Sequence, residues 1–146
     1  MLRSPLFLAF LLAFGLSYFV PYHEVDSKAQ PLYYSVFTMM HDTCPKIKEP
    51  LQLIVRYDSL EDKDWIGVCK ITGLARREIV LDSSYWNSAS FEDKFSLMAH
   101  EMTHCLLDMD HSLDEHNYMY YADRPSVLEE TKAQLLVNIK EYCNVR

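Results

Sequence analysis

The pattern of apolar residues predicts a strong amphipathic helix in the second half of the chain. Ser90 is suited to cap a helix that begins at Phe91, and the acidic residues Glu92 and Asp93 suit the positive end of the helix dipole. Apolar side chains then recur three and four residues apart, as they do on one helix face. These apolar positions are Phe91, Phe95, Met98, Met102, Cys105, Leu106 and Met109.

Two further helices and three strands are predicted around it. Residues 32–42 have apolar positions at helical spacing before Pro45, and a last helix opens at Ser126, where Glu129 completes a capping box. Short segments rich in β-branched or aromatic residues indicate strands at residues 51–57, 65–71 and 78–81. Together these elements predict an α+β domain with a small three-stranded sheet.

The composition excludes several classes of function. A chain of 146 residues that is 49% apolar and 24% charged has the size and composition of one globular domain. Its net charge of −7 would repel phosphates, so we expect no nucleic-acid partner. The three glycines, Gly15, Gly67 and Gly73, are too far apart to build a phosphate-binding loop, which excludes Rossmann and P-loop chemistry.

Residues 1–20 have the composition of an export signal. Arg3 precedes an apolar run, and small residues at 13 and 15 or at 15 and 17 offer a cleavage site. If the run is not cleaved, it would anchor the protein in a membrane with the remaining chain outside the cytoplasm. Both interpretations predict an exported protein, which is secreted, periplasmic or membrane-anchored. Residues 21–30 are then a polar tether, and residues 31–146 form the folded domain.

The four cysteines fit an oxidising compartment. An even number in an exported chain of this size indicates two disulfides, with three possible pairings. We favour Cys44 with Cys69, and Cys105 with Cys143. The alternative is that Cys105, on the apolar face of its helix, is a buried free thiol.

The most specific motif in the chain is HExxH on the strong helix. His100 and His104 are four residues apart and project from the same helix face, where they can bind one metal ion, with Glu101 beside the same site. The alternative is a pair of surface histidines on an amphipathic helix. The motif indicates a zinc site, and Zn²⁺ is the cofactor we expect.

The stretch HEMTHCLLDMDH, followed by Asn-Tyr-Met-Tyr-Tyr at residues 117–121, resembles the zinc metallopeptidases called metzincins. More particularly, it is similar to small metallopeptidases of bacteria and phages. In that group a strand, a Trp-Asn connection and an HExxHC helix follow one another, as residues 78–81, 85–87 and 100–107 do here. The resemblance covers residues 77–121 and implies a minimal zincin-like domain that hydrolyses peptide bonds as an endopeptidase.

The third zinc ligand departs from the usual metzincin spacing. The family pattern has Gly three residues after the second histidine and a ligand three residues further on, where this chain has Leu107 and Asp110. Leu107 is unsuited to the left-handed conformation that reverses the chain, whereas Asp108 adopts it more readily. Moving the turn by one residue moves the ligand by one. We therefore predict His111 as the third ligand, with Asp110 as the alternative.

The resemblance also implies roles for three further side chains. Glu101 would be the general base, which takes a proton from the attacking water and delivers it to the leaving amine. Met119 would be the methionine of the turn under the metal, and Tyr121 is placed where some metzincins have a tyrosine that reaches the metal or the oxyanion. His116, near that turn, could support the site or act as a stray ligand.

Two other functions remain open from the sequence. A gluzincin-type peptidase would take its third ligand from Glu129 or Glu130, and a zinc-stabilised binding module would not need Glu101 for proton transfer. For the leading hypothesis we expect a peptide or protein substrate that adds as an extended strand along residues 78–81. We also expect a monomer, with membrane anchoring possible only through residues 1–20.

Overall fold

The structure, a computed structural model, describes residues 21–61, 65–73, 76–120 and 127–145 of the chain. The predicted leader at residues 1–20 lies outside these ranges, as do Tyr121 and Ser126. Within these ranges, no helix combines the length and the apolar character needed to cross a membrane.

A mixed four-stranded sheet forms one layer of the fold. Its strands are β1 (Tyr22–Val25), β2 (Gln52–Asp58), β3 (Gly67–Thr72) and β4 (Arg76–Asp82), and their spatial order is β1-β2-β4-β3. The pairs β1·β2 and β2·β4 are parallel, whereas β3 and β4 are antiparallel. The prediction of an α+β domain is confirmed. The three predicted strands are present as β2, β3 and β4, but the predicted count of three was wrong.

The missed strand is β1, which lies in the segment predicted to be a tether. Three of its four residues are exposed, so the segment has no apolar alternation by which a sequence would indicate a strand. Its place depends on main-chain pairing, in which Tyr22 lies opposite Gln52 and Val25 opposite Val55. The folded domain therefore begins earlier than residue 31.

Three long helices and one short helix accompany the sheet in the described residues. α1 (Gln30–Thr43) connects β1 to β2, and α3 (Phe91–Met102) continues into a π-helical turn (Thr103–Leu107). α4 (Leu128–Val145) lies against α1 and α3, so the three predicted helices are confirmed. A short helix, α2 (Ser83–Ser88), occupies the predicted Trp-Asn connection.

The hydrophobic core lies between the sheet and α1, α3 and α4. Alternate residues of β2 and β4 point into it, as the period of a strand requires. Its buried side chains include Leu53, Val55, Ile79, Leu81, Val36, Met40, Phe95, Met98, Met102, Leu135 and Ile139. Burial of the apolar face of α3 fixes the orientation of this helix, and therefore the direction in which its opposite face points.

β3 is an edge strand, and part of its main chain faces away from the sheet. The N–H of Asp82 donates to the carbonyl of Ile66 at 2.9 Å, which makes these residues a hydrogen-bonded pair of the antiparallel ladder. Every second residue of β3 after Ile66 therefore binds β4, and the residues between them direct their N–H and C=O groups away from it. The outward positions are Gly67, Cys69 and Ile71.

The prediction that residues 78–81 form a substrate-binding edge was wrong. They belong to β4, which is flanked by β2 and β3 and has no free edge. The order of strands in space is not the order in the chain, and the hydrophobic pattern of β4 is that of an internal strand. The edge that borders α3 is β3.

Two disulfides are present, but not in the predicted pairing. Cys44 is bonded to Cys143, and Cys69 is bonded to Cys105. Cys44 directly follows α1, and Cys143 lies in the last turn of α4, the helix that packs beside α1. Cys69 lies on the edge strand β3, which neighbours α3. Cys105 lies in the π-helical turn that follows α3. The alternative of a free thiol at Cys105 was also wrong, and the two bonds fit an extracellular location.

Candidate metal centre

The end of the HExxH helix determines where the histidines lie. α3 carries His100 and Glu101, the π-helical turn carries His104, and Asp108 then takes the left-handed conformation with φ 57° and ψ 40°. Among the described residues other than glycine, Asp108 is the one with a positive φ. The predicted position of the turn is therefore confirmed, one residue after Leu107.

The π-helical turn explains how the altered spacing fits. This chain has one residue more between its second and third histidines than the metzincin pattern. A π-helical turn closes hydrogen bonds over five residues instead of four, so it holds one residue more than an α-helical turn does. The extra residue is absorbed before Asp108, and His111 is returned to the face that carries His100 and His104.

The ring nitrogens of two histidines are oriented by main-chain carbonyls. The Nδ1 of His100 lies 2.8 Å from the carbonyl oxygen of Tyr118, and the Nδ1 of His104 lies 2.6 Å from that of Met109. Because a carbonyl oxygen only accepts hydrogen bonds, both Nδ1 atoms carry the proton. In the neutral rings both Nε2 atoms are then unprotonated, with a lone pair available for a metal.

Three Nε2 atoms converge on one point. That of His100 lies 3.0 Å from that of His104 and 3.2 Å from that of His111. Two unprotonated nitrogens this close repel each other, since no proton lies between their lone pairs. Zn–N distances of about 2.0–2.1 Å in a tetrahedral site place two nitrogen ligands about 3.3 Å apart. The three rings therefore fit a zinc ion.

The environment keeps the first two rings in the metal-binding form. Burial lowers the pKa of His100 to about 4, against a smaller opposing effect of its hydrogen bond to Tyr118. Burial also lowers the pKa of His104. Both imidazoles are thus neutral near pH 7, which is the state that binds a metal ion.

Glu101 is enclosed between α3 and β3. Its side chain is 3% exposed, and burial raises its pKa to about 8, while a hydrogen bond donated by the main-chain N–H of Cys69 acts in the opposite direction. Gly67 gives the carboxylate its space, because a Cβ at this position would lie 2.7 Å from Glu101 Oε1. A cation bound by the adjacent histidines would favour the ionised carboxylate.

A β-turn at residues 117–120 contacts the ring of His100. The N–H of Tyr120 donates to the carbonyl of Asn117, which closes a β-turn with Tyr118 and Met119 at its centre. Met119 is 2% exposed, so the turn is buried where the resemblance implies a methionine. The packing role of Met119 under the metal stays a prediction.

Tyr118 is a residue whose role the sequence did not reveal. Its carbonyl accepts a hydrogen bond from the Nδ1 of His100, and its buried hydroxyl lies 2.8 Å from Thr103 Oγ1. Since Thr103 donates its only proton to the carbonyl of Ala99, the hydroxyl of Tyr118 must donate to Thr103. Asn138 of α4 donates to that same hydroxyl at 3.1 Å. The turn is thereby tied to α3 and α4.

The sequence contains one indication of the hydrogen bonds around Tyr118, namely two polar residues on apolar helix faces. Thr103 and Asn138 lie on the buried faces of their helices, and a buried polar side chain needs a hydrogen-bond partner. The signal predicts that partners exist, but it does not identify Tyr118. Gln134 adds a second anchor that the sequence does not indicate, because its side chain accepts from the N–H of Tyr118 at 2.8 Å.

A cleft of about 330 Å³ opens over the three histidines. β3 forms one wall, and the side of α3 that carries Ser96 and Leu97 forms the other. Asp93, Asp108 and Asp110 line it, and no lysine or arginine is among its described lining residues. The cleft is therefore an environment that favours cations.

The other predicted candidates do not join the three histidines. Asp110 lines the cleft, but it is not part of the group of ligand atoms that converge. The side chain of His116 is 79% exposed. Glu129 pairs with Lys132 and Glu130 accepts from Gln134, so the gluzincin alternative has no support in the described residues. Tyr121 lies outside the described part of the chain.

Comparison of the chain with protein-family models, curated proteins and solved structures gave no match. The geometry of the site itself therefore carries the functional interpretation.

Proposed function

We propose that this protein is a zinc-dependent endopeptidase of the zincin type. The observation that carries the proposal is the convergence of three Nε2 atoms, those of His100, His104 and His111, beside the buried carboxylate of Glu101. Three protein ligands with space for a fourth are typical of a catalytic zinc site, whereas a structural site is closed by four. The cleft above the histidines provides that space.

The three histidines would hold the zinc ion. When bound, zinc lowers the pKa of a water molecule and polarises the carbonyl of the substrate. The carbonyls of Tyr118 and Met109 hold the rings of His100 and His104 in the orientation that this binding needs. Such hydrogen bonds to the second ring nitrogen also raise the basicity of the ligand.

Glu101 would transfer the proton. Its carboxylate would accept a proton from water as the water oxygen bonds to the carbonyl carbon of the substrate. It would then deliver this proton to the amide nitrogen as the C–N bond breaks, so that the amine leaves uncharged. Burial raises the pKa of Glu101 to about 8, and a cation held by the adjacent histidines would favour the ionised form that accepts the proton in the first step. A purely structural zinc site has no need of this side chain, which argues against the binding-module alternative.

The substrate would lie along β3. An extended peptide can hydrogen-bond to the outward main-chain groups of Gly67 and Ile71, which border the same cleft as the histidines. The donor of Cys69 between them is taken by Glu101, so pairing would be interrupted there. Such pairing would set the scissile carbonyl beside the candidate metal centre.

The zincin fold and the export are part of the same proposal. A mixed sheet with an antiparallel edge strand, an HExxH helix and a buried methionine turn occur together in this chain. The two disulfides are consistent with a site of action outside the cytoplasm.

Casein cleavage by the purified protein tests the proposal. We expect cleavage that stops with a chelator and returns when zinc is restored, whereas magnesium should not restore it because magnesium prefers oxygen ligands. Cleavage that is indifferent to the chelator would refute the zinc mechanism. A zinc-loaded protein that cleaves no unfolded protein or peptide would favour the binding module.

A further inference from the structure

One disulfide joins β3 to the π-helical turn that continues α3, the helix that carries Glu101. The sulfur of Cys69 on β3 is bonded to Cys105, which directly follows His104 in the π-helical turn. The main-chain N–H of the same Cys69 donates to the carboxylate of Glu101. A single residue thus contacts the proposed general base through its main chain and is covalently linked, through its side chain, to the segment that holds a proposed zinc ligand.

β3 depends on this link more than an internal strand would. It has a partner strand on one side, β4, and its outward edge faces the cleft. Its approach to α3 is as close as the sequence permits, because a Cβ on Gly67 would lie 2.7 Å from Glu101 Oε1 and 2.8 Å from Leu97 Cδ1. β4 holds β3 in the sheet, but it does not hold β3 against α3, so loss of the covalent link would allow β3 to shift away from Glu101.

We propose that the Cys69–Cys105 disulfide positions Glu101 for proton transfer. It does so by holding the N–H of Cys69 against the carboxylate and by keeping β3 closed over it. This inference rests on the proposed peptidase function. Cys69 is a positioning residue here, because it acts through Glu101 and not on the substrate. The other disulfide, Cys44–Cys143, joins the ends of α1 and α4 and is a matched control.

The kinetic test compares two double variants, since thiol reductants also bind zinc and would confuse the result. At a temperature where both are folded, C69A/C105A should retain zinc. Its KM should change less than its kcat, because Gly67 and Ile71, which would pair with the substrate, stay on β3. Its kcat should fall by about tenfold or more, because a displacement near 1 Å of a catalytic group has effects of this order or larger. C44A/C143A should keep the kcat of the wild type.

Amide hydrogen exchange provides a measurement that needs no activity. Val68 and Lys70 are in hydrogen-bonded pairs with β4, whereas the N–H of residue 69 points outward to Glu101. In the zinc-loaded wild type, we expect protection of the amide at residue 69. It should be lost in C69A/C105A and in Glu101→Ala, while the amides of Val68 and Lys70 remain protected.

A second variant guards against failure of C69A/C105A to fold. Gly67→Ala leaves the disulfide intact but places a methyl group against Glu101 Oε1, so it should lower kcat and reduce the protection of residue 69 in the same way. Matching effects from both variants would support positioning of Glu101.

Two results separate the failure of this inference from the failure of the proposed function. Wild-type kcat and wild-type protection of residue 69 in C69A/C105A would overturn the positioning role, whatever the enzyme does. Loss of that protection in a protein that hydrolyses no peptide would uphold the clamp on Glu101 and refute the peptidase.

Discussion

The Nε2 atoms of His100 and His111 lie 3.2 Å apart, although the two residues are separated by 11 positions in the chain. A straight helix would carry the second residue about 16 Å along its axis from the first. The chain closes this distance by ending the helix with a π-helical turn and reversing at Asp108. The candidate metal centre thus depends on the backbone of residues 103–108 as much as on its ligands.

Removal of His111 should weaken zinc binding far more than removal of Asp110. We expect His111→Ala to lower zinc affinity by more than about 100-fold, the upper range for loss of an outer hydrogen-bond partner, and Asp110→Ala by less than about tenfold. Competition with a zinc indicator measures both. The reverse order would assign the third ligand to Asp110.

The left-handed conformation of Asp108 should make this position tolerant of glycine and intolerant of β-branched residues. Asp108→Gly should stay within about 1 kcal/mol of the wild type in free energy of unfolding. Asp108→Val should lose about 1–2 kcal/mol or more, because its Cβ is crowded at positive φ. Urea unfolding compares the variants, and equal stabilities would contradict the turn at this residue.

The two disulfides should differ in their contribution to stability. Cys44 and Cys143 are 99 residues apart in sequence, and Cys69 and Cys105 are 36 residues apart. Restriction of the unfolded chain predicts a loss of about 5 kcal/mol for the first pair and about 4 kcal/mol for the second. Calorimetry of C44A/C143A and C69A/C105A, both loaded with zinc, should therefore show the lower Tm for C44A/C143A. A higher Tm for C44A/C143A than for C69A/C105A would contradict this order.

Local patterns predicted most of the helices and the convergence of the histidines. Ser90 caps α3 through its hydroxyl, as its position before the acidic first turn indicates. The preference of Asp108 for positive φ predicted the chain reversal before His111, whereas the π-helical turn that precedes Asp108 was not predicted. Such features depend on neighbours in the chain, which a sequence shows directly.

Features that depend on packing between distant segments were missed or wrong. β1 is held by pairing with β2 and has little apolar pattern of its own. The disulfide partners follow from which elements are adjacent in space, and the place of β3 at the sheet edge was not readable from its sequence. The hydrogen bonds of Tyr118 to Thr103 and Asn138 likewise join three separate segments.

Turnover by the Glu101→Gln variant tests the central claim most directly. Glutamine keeps the shape of the side chain but does not accept the proton, and Glu101 is not one of the three proposed ligands. Glu115→Gln, in the exposed loop nearby, is the control for loss of a negative charge. We predict about one zinc per chain in all three proteins, turnover close to the wild type in Glu115→Gln, and a fall of about 10²–10⁴-fold in Glu101→Gln. Near-normal turnover in zinc-loaded Glu101→Gln would contradict the account.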